Sequence, residues 1–432
     1  MEFNNSPVKR RGEVIKAIKG TRDILPPESA VWSQVESVAR EVLHLYGFSE
    51  IRTPVFEGTE LFARGVGEDT DIVSKEMYTF GDRNSRSLTL RPEGTAPVVR
   101  AFIEHQLHRD SQILKLYYMG PMFRRERPQK GRSRQFHQLG VEVLGSDHPA
   151  IEAEVIELLQ LLLSRLEIRE TELLVNSIGC NCCRPQFLRE LQAELAMKKT
   201  QLCQDCNRRS ETNPLRVLDC KVKSCQSVIE SLPSIVEFLD DACRQHFDQF
   251  LGYLQSRDID FRVVPRLVRG LDYYMRTTFE IVSPGLGAQN TLVGGGRYDG
   301  LAELLGGDAT KGFGFALGLE RIILLCQQDG YTPGMIPPQL FLAPLGERAF
   351  NKATLMAREF RHQEIHCFLD FVPRTLKSSM RLANRLDAEY LLIIGDDELR
   401  SGKYPLKRMR DGAQILVIEA EVRSRLRSIW ED

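Results

Sequence analysis

The sequence predicts an α/β chain of the α+β type, with a first domain built around an antiparallel hairpin and a smaller α/β domain behind it. Ile113 to Met119 and Gln135 to Leu144 each alternate in polarity on either side of a charged turn, the pattern of a long hairpin. Near residues 328–338 the composition changes to a Gly/Pro stretch, QDGYTPGMIPPQ, which reads as a linker. Beyond it, QLFLAPLG, EIHCFLD, YLLIIG and AQILVIE are apolar runs separated by charged helical segments, as in a compact α/β domain with mixed or parallel strands.

A length of 432 residues allows two or three domains and an ample core. The net charge of −1 excludes a chain that coats nucleic acid indiscriminately, so any RNA binding comes from local patches. No apolar run approaches the ~18 residues of a membrane span. The N-terminus lacks the apolar core of a secretion signal, and a soluble, cytoplasmic protein with no membrane partner is expected. Residues 1–16 are expected to form a disordered tail.

Ala17 to Glu28 is a turn-rich entry to a helix over Ser29 to Leu45, whose Val31, Val35, Val38, Val42 and Leu45 follow helical spacing. Tyr46 to Phe56 predicts a strand bending at Pro54. Ser87 to Thr95 alternates and then stops at Pro92, leaving Glu93 and Thr95 at a strand end, where a ligand group and a solvated cap are both ordinary readings.

The hairpin turn carries Arg124, Arg125, Arg127, Lys130, Arg132 and Arg134 against one acid, Glu126. Guanidinium groups on such a loop suit phosphates, although the charge run alone fits a solvated hairpin end as well. On the outgoing strand Gln138, Gly140 and Glu142 share one face. A Gln and a carboxylate flanking a glycine on a mostly apolar sheet point to a small polar ligand bound there.

The run GPMFRRERPQKGRSRQFHQLG resembles motif 2 of class II aminoacyl-tRNA synthetases, and specifically that of the histidyl-tRNA synthetase family. GTRDILP resembles the opening of the same family. The resemblance implies a class II antiparallel-sheet catalytic domain over residues 17–327, with an inserted subdomain at about 180–262, and a C-terminal anticodon-binding domain over 339–432. It also implies a homodimer formed through the region after Tyr46, an element that composition alone reads equally well as monomer core. Within the family pattern, Glu93, Thr95 and Gln138 match the positions around the α-amino group of histidine, and an ammonium needs such acceptors.

Cys180, Cys182, Cys183, Cys203, Cys206, Cys220 and Cys225 fall within fifty residues. Cys180 and Cys183 with Cys203 and Cys206 have the spacing of one four-thiolate zinc site. Free buried thiols are nevertheless the expectation, with no metal assigned, since the family carries an insertion here without a general zinc requirement.

RGLDYY, Arg269 to Tyr274, resembles the peptide peculiar to histidyl-tRNA synthetases. By that resemblance Arg269 contacts the substrate carboxylate and the α-phosphate, and Tyr273 and Tyr274 belong to the histidine pocket, Tyr274 opposite Glu142 across the imidazole. A carboxylate and a phenol supply the acceptor and donor that a neutral imidazole requires. NTLVGGGRYDG follows as a strand with a glycine cluster, and GFGFALGLER as a strand entering a helix that resembles motif 3. Arg321 there matches the arginine on ATP.

The implied activity is formation of histidyl-adenylate from histidine and ATP, then transfer to tRNA(His). Arg124, Arg269 and Arg321 act as electrostatic stabilisers, Glu126 and Arg132 complete the ATP site, and Mg²⁺ accompanies ATP with no organic cofactor. The alternative is a catalytically inert, synthetase-like regulatory subunit of histidine biosynthesis, which generally lacks the RGLDYY peptide and a tRNA-binding C-terminal domain.

Overall fold

The computed structural model describes residues 14–67, 70–109, 112–126, 132–328 and 337–427. Arg127 and Lys130 of the turn, most of the expected linker and most of the expected N-terminal tail lie outside them. The chain divides into two units, Met1–Thr332 and Pro333–Asp432.

The first unit is organised on an eight-stranded sheet. Its strands run in the order Ser49–Glu50, Leu114–Phe123, Gln135–Leu144, Gly312–Gly318, Thr291–Arg297, Met275–Val282, Glu172–Ser177 and Arg262–Val263. The six inner strands are antiparallel, and each two-residue edge strand pairs in parallel. The hairpin therefore forms as its alternation predicts. Leu139, Val141 and Val143 enter the main core with Val31, Val35, Val38 and Val42 of the Glu28–Leu45 helix and the apolar side of the Pro149–Arg165 helix.

The opposite sheet face is different. Gln138, Gly140 and Glu142 pair with Gly318, Ala316 and Gly314, and Gly294 and Gly296 continue that small-residue surface on the next strand. The small residues leave room over this face for side chains from elsewhere in the chain, Arg269 over Gly294 among them.

Two expected elements are broken. Tyr46 to Phe56 yields only Ser49–Glu50 and Phe56–Gly58, because Pro54 offers no N–H and Arg91 takes the Thr53 carbonyl at 2.9 Å. Ile235 to Leu254 reads in sequence as one helix, which splits into a turn, Ile235–Phe238, and a helix, Asp241–Gln255, whose N-cap Asp240 accepts from the Cys243 N–H at 2.7 Å. The insertion leaves after Glu172–Ser177 and returns at Arg262–Val263, two strands that pair with each other.

The second unit is a five-stranded mixed sheet with helices Glu347–His362 and Leu376–Arg385 packed on it. Its Tyr404–Arg408 strand is not evident in the sequence, because YPLKR is charged and lacks an apolar run. Among the described residues no helix is long and apolar enough to cross a membrane.

Candidate active site

One cavity of about 560 Å³ opens on the small-residue face of the large sheet. Its lining includes Glu93, Thr95, Gln138, Arg269, Tyr273 and Tyr274, together with Arg124, Glu126, Arg132 and Arg321. The volume suits an amino acid and a nucleotide. Arg22, Glu28 and Glu320, which sequence reasoning did not assign to a site, also line it.

Thr291 joins two of the arginines. Its hydroxyl donates at 3.0 Å to Glu280, which pairs with Arg269, while its carbonyl accepts from Arg321. Glu280 is invisible as a site residue in sequence, being one alternating position on the Met275–Val282 strand. Gly294 makes the arrangement possible: a Cβ there would lie 1.9 Å from Arg269 Nη2. Arg269 also lies over the Tyr274 ring, 5.9 Å from its centroid.

Where the hairpin turns, Arg124 stacks over Phe136 at 5.2 Å and donates through Nε to the Pro92 carbonyl at 2.9 Å. Arg132 pairs with Glu126 at 3.0 Å. Burial, and then the like charge of Arg132, pulls Arg321 below its ordinary pKa. Guanidinium groups converging against their own repulsion form a site for a polyanion.

Glu93 is the helix cap that its position allows and is also a wall of the cavity. Its oxygens accept from the Thr95 and Ala96 N–H groups at 2.8 and 2.9 Å, and it is only 3% exposed. Burial raises its pKa, while those two backbone bonds oppose the rise. Gln138 Oε1 is buried without a hydrogen-bond partner among the described groups, an acceptor left for a ligand donor.

One expectation needs correction. Gly140 is not vacant for a ligand: a Cβ there would lie 2.1 Å from Tyr118, whose ring occupies the space between Gly140 and Gly94. Glu142 is wholly buried beneath the cavity floor, where Thr95 Oγ1 donates to it at 2.7 Å and the Tyr298 hydroxyl donates to its other oxygen. Thr95 thus serves Glu142 as well as the cavity. Burial pushes the Glu142 carboxyl up to about 8, against the lowering effect of the Tyr298 and Thr95 hydrogen bonds. Tyr298 was not singled out in sequence, since it follows the glycine cluster and lies far from Glu142 along the chain.

The cysteines do not form the single site that their spacing suggested. The helix Arg184–Met197 spans about 21 Å between the two Cys-x-x-Cys pairs. Cys180 and Cys183 group with Cys243 and Asp240, and Cys203 and Cys206 with Cys220 and Cys225.

The profile of the histidyl-tRNA synthetase family matches residues 20–322, and that of an anticodon binding domain matches residues 339–429. The chain is 53% identical to a histidine–tRNA ligase of Solibacter usitatus over 96% of this chain and 99% of that protein. The apo histidyl-tRNA synthetase of Staphylococcus aureus superposes with a TM-score of 0.81 at 35% identity, covering 96% of this chain and 100% of that one. A Bacillus halodurans protein described as an ATP phosphoribosyltransferase regulatory subunit/histidyl-tRNA synthetase shares the fold alone, at 20% identity and a TM-score of 0.65, over 90% of this chain and 100% of its own. Fold and site together define a class II aminoacyl-tRNA synthetase. Within that class, the chain belongs to the histidyl-tRNA synthetase family.

Proposed function

We infer that the protein activates histidine with ATP to histidyl-adenylate and transfers the histidyl group to the 3′ end of tRNA(His). The observation that carries this reading is the single cavity shared by Glu93, Gln138 and Tyr274 with Arg124, Arg269 and Arg321. An amino acid held by the first three places its carboxylate near Arg269, and the arginines hold the triphosphate. The carboxylate oxygen attacks the α-phosphorus, the bond to the bridging oxygen breaks, and pyrophosphate leaves. No side chain needs to carry a proton in that step. Arg269 balances charge at the α-phosphate, with Arg124 and Arg321 on the polyphosphate. The 3′-terminal ribose hydroxyl of tRNA then attacks the adenylate carbonyl, its proton passes to a phosphate oxygen of the adenylate, and AMP departs as the acyl–phosphate bond breaks.

Mg²⁺ arrives on the polyphosphate and needs only one or two protein carboxylates. Glu126, which lines the cavity and pairs with Arg132 at 3.0 Å, would help to hold the ion, which would neutralise phosphate charge, whereas both oxygens of Glu320 already accept from the His137 N–H. The second unit would read the anticodon. A homodimer is supported by Phe56 and Phe80, exposed apolar side chains on the small sheet Phe56–Gly58, Ser87–Leu90, Tyr78–Gly81.

The test is ATP/pyrophosphate exchange with each of the twenty amino acids in turn, followed by charging of tRNA(His). Exchange with histidine alone, lost in Arg269→Ala, is the expected result. Folded protein that binds histidine and supports no exchange would overturn this reading and leave the regulatory subunit as the better account.

A further inference from the structure

We propose that Cys203, Cys206, Cys220 and Cys225 bind one structural zinc ion. Their four sulfurs lie within 4.8 Å of one another, and Cys203 and Cys220 are 4.0 Å apart. A tetrahedron with Zn–S bonds of about 2.3 Å has edges of about 3.8 Å, so modest contraction closes the group on a single ion. The space suits one ion rather than an iron–sulfur cluster.

The surrounding backbone is arranged for thiolates. The Cys206 N–H donates to Cys203 Sγ at 3.4 Å, the Val222 N–H to Cys220 Sγ at 3.5 Å, and the Cys203 N–H to Cys225 Sγ at 3.2 Å. Such bonds orient the sulfurs and offset the negative charge that metal binding requires. All four cysteines are free, and Cys206 and Cys225 are wholly buried. Ordinary apolar packing calls for no convergence of four sulfurs from three chain segments.

An ion here would tie the start of the Gln204–Thr212 helix to the loop at Cys220 and to the Lys223–Glu230 helix. The chain between those ties braces the Arg269–Asp272 segment and, beside it, Asp71. Arg209 pairs with Asp71 at 2.8 Å, Asn213 donates to Asp272 at 3.0 Å, and Arg216 Nη1 donates to the Arg269 carbonyl at 3.3 Å. Zinc would therefore stiffen a region of short helices whose contacts set the backbone of Arg269. In the second cysteine group the fourth donor, Asp240, is already committed to the Cys243 N–H and the Cys180 thiol, so that group takes no part in the proposal.

The experiment is elemental analysis of full-length protein purified with zinc and then dialysed against metal-free buffer. One equivalent of zinc per chain is expected, retained by C180S/C183S and lost from C203S/C206S. Since the latter variant can also lose zinc by misfolding, cobalt is exchanged into the unmutated protein. Visible d–d bands with intense thiolate charge transfer, the signature of tetrahedral tetrathiolate cobalt, are expected. Folded protein without zinc, zinc that leaves with C180S/C183S but stays in C203S/C206S, or a cobalt spectrum of mixed sulfur and oxygen donors would each overturn the assignment.

Discussion

Gly294 and Arg269 share one space: a side-chain carbon on the glycine would lie 1.9 Å from the guanidinium. Gly294→Ala is therefore expected to displace Arg269 from both Glu280 and the reacting carboxylate while leaving the distant core intact. Histidine-dependent exchange should fall by roughly a hundredfold or more, the usual loss when a preorganised charge leaves a transition state. An unchanged kcat/KM would show that Arg269 does not act from this position.

Glu142 gives a pH prediction for the substrate-free protein. Its carboxyl rises from 4.5 to about 8, so within that window the folded chain holds a proton that the unfolded chain has released. The contribution to stability is complete below the ordinary carboxyl pKa and is lost as pH rises through about 8. The slope is at most about 1.4 kcal/mol per pH unit. Glu142→Gln keeps the shape of the protonated group, so urea midpoints from about pH 6 to about pH 9 should fall less steeply for the variant. Parallel curves for the two proteins would refute the assignment.

The phosphate end makes a separate prediction. Arg321 is anchored by the Thr291 carbonyl and lies within the fields of Arg132, Glu126, Arg124 and Glu280. Arg321→Ala should reduce exchange by about a hundredfold with the fold intact. Binding of histidine alone, followed by calorimetry, should be nearly unchanged. Equal loss of histidine binding would place Arg321 in the amino-acid pocket.

What the sequence made legible follows from how far its signals reach. The hairpin was readable because a period of two assigns Gln138 and Glu142 to one face and Leu139, Val141 and Val143 to the other. Glu93, Arg269 and Arg321 came through short motifs. Glu280 and Tyr298 did not, because each acquires its partner across strands remote in sequence. The same limit explains Gly140, whose neighbour is Tyr118 of the preceding strand, and the cysteines, which sort by the length of an intervening helix. Strand Tyr404–Arg408 was hidden by its own charges.

Stability should depend heavily on a buried ionic group that plays no part in the cavity. Arg297 and Glu152, both wholly buried, pair at 2.6 Å, with His246 on Glu152 at 2.8 Å and Asp299 on Arg297 at 2.9 Å. Burial opposes ionisation of Glu152, yet Arg297 and His246 overcome it and hold the carboxyl below its ordinary value. A lowered carboxyl stabilises the fold above its unfolded pKa, and that contribution is lost as pH falls through the folded one. Arg297→Ala leaves a buried carboxylate with too little compensation and should cost about 3–5 kcal/mol in denaturant unfolding. Arg297→Met with Glu152→Leu removes both charges of that pair and, with Asp299 still held by Lys311 at 3.5 Å and the Gly312 N–H at 3.2 Å, should recover part of that loss. If the double variant is instead as unstable as Arg297→Ala, the cost lies in lost packing rather than in the stranded charge.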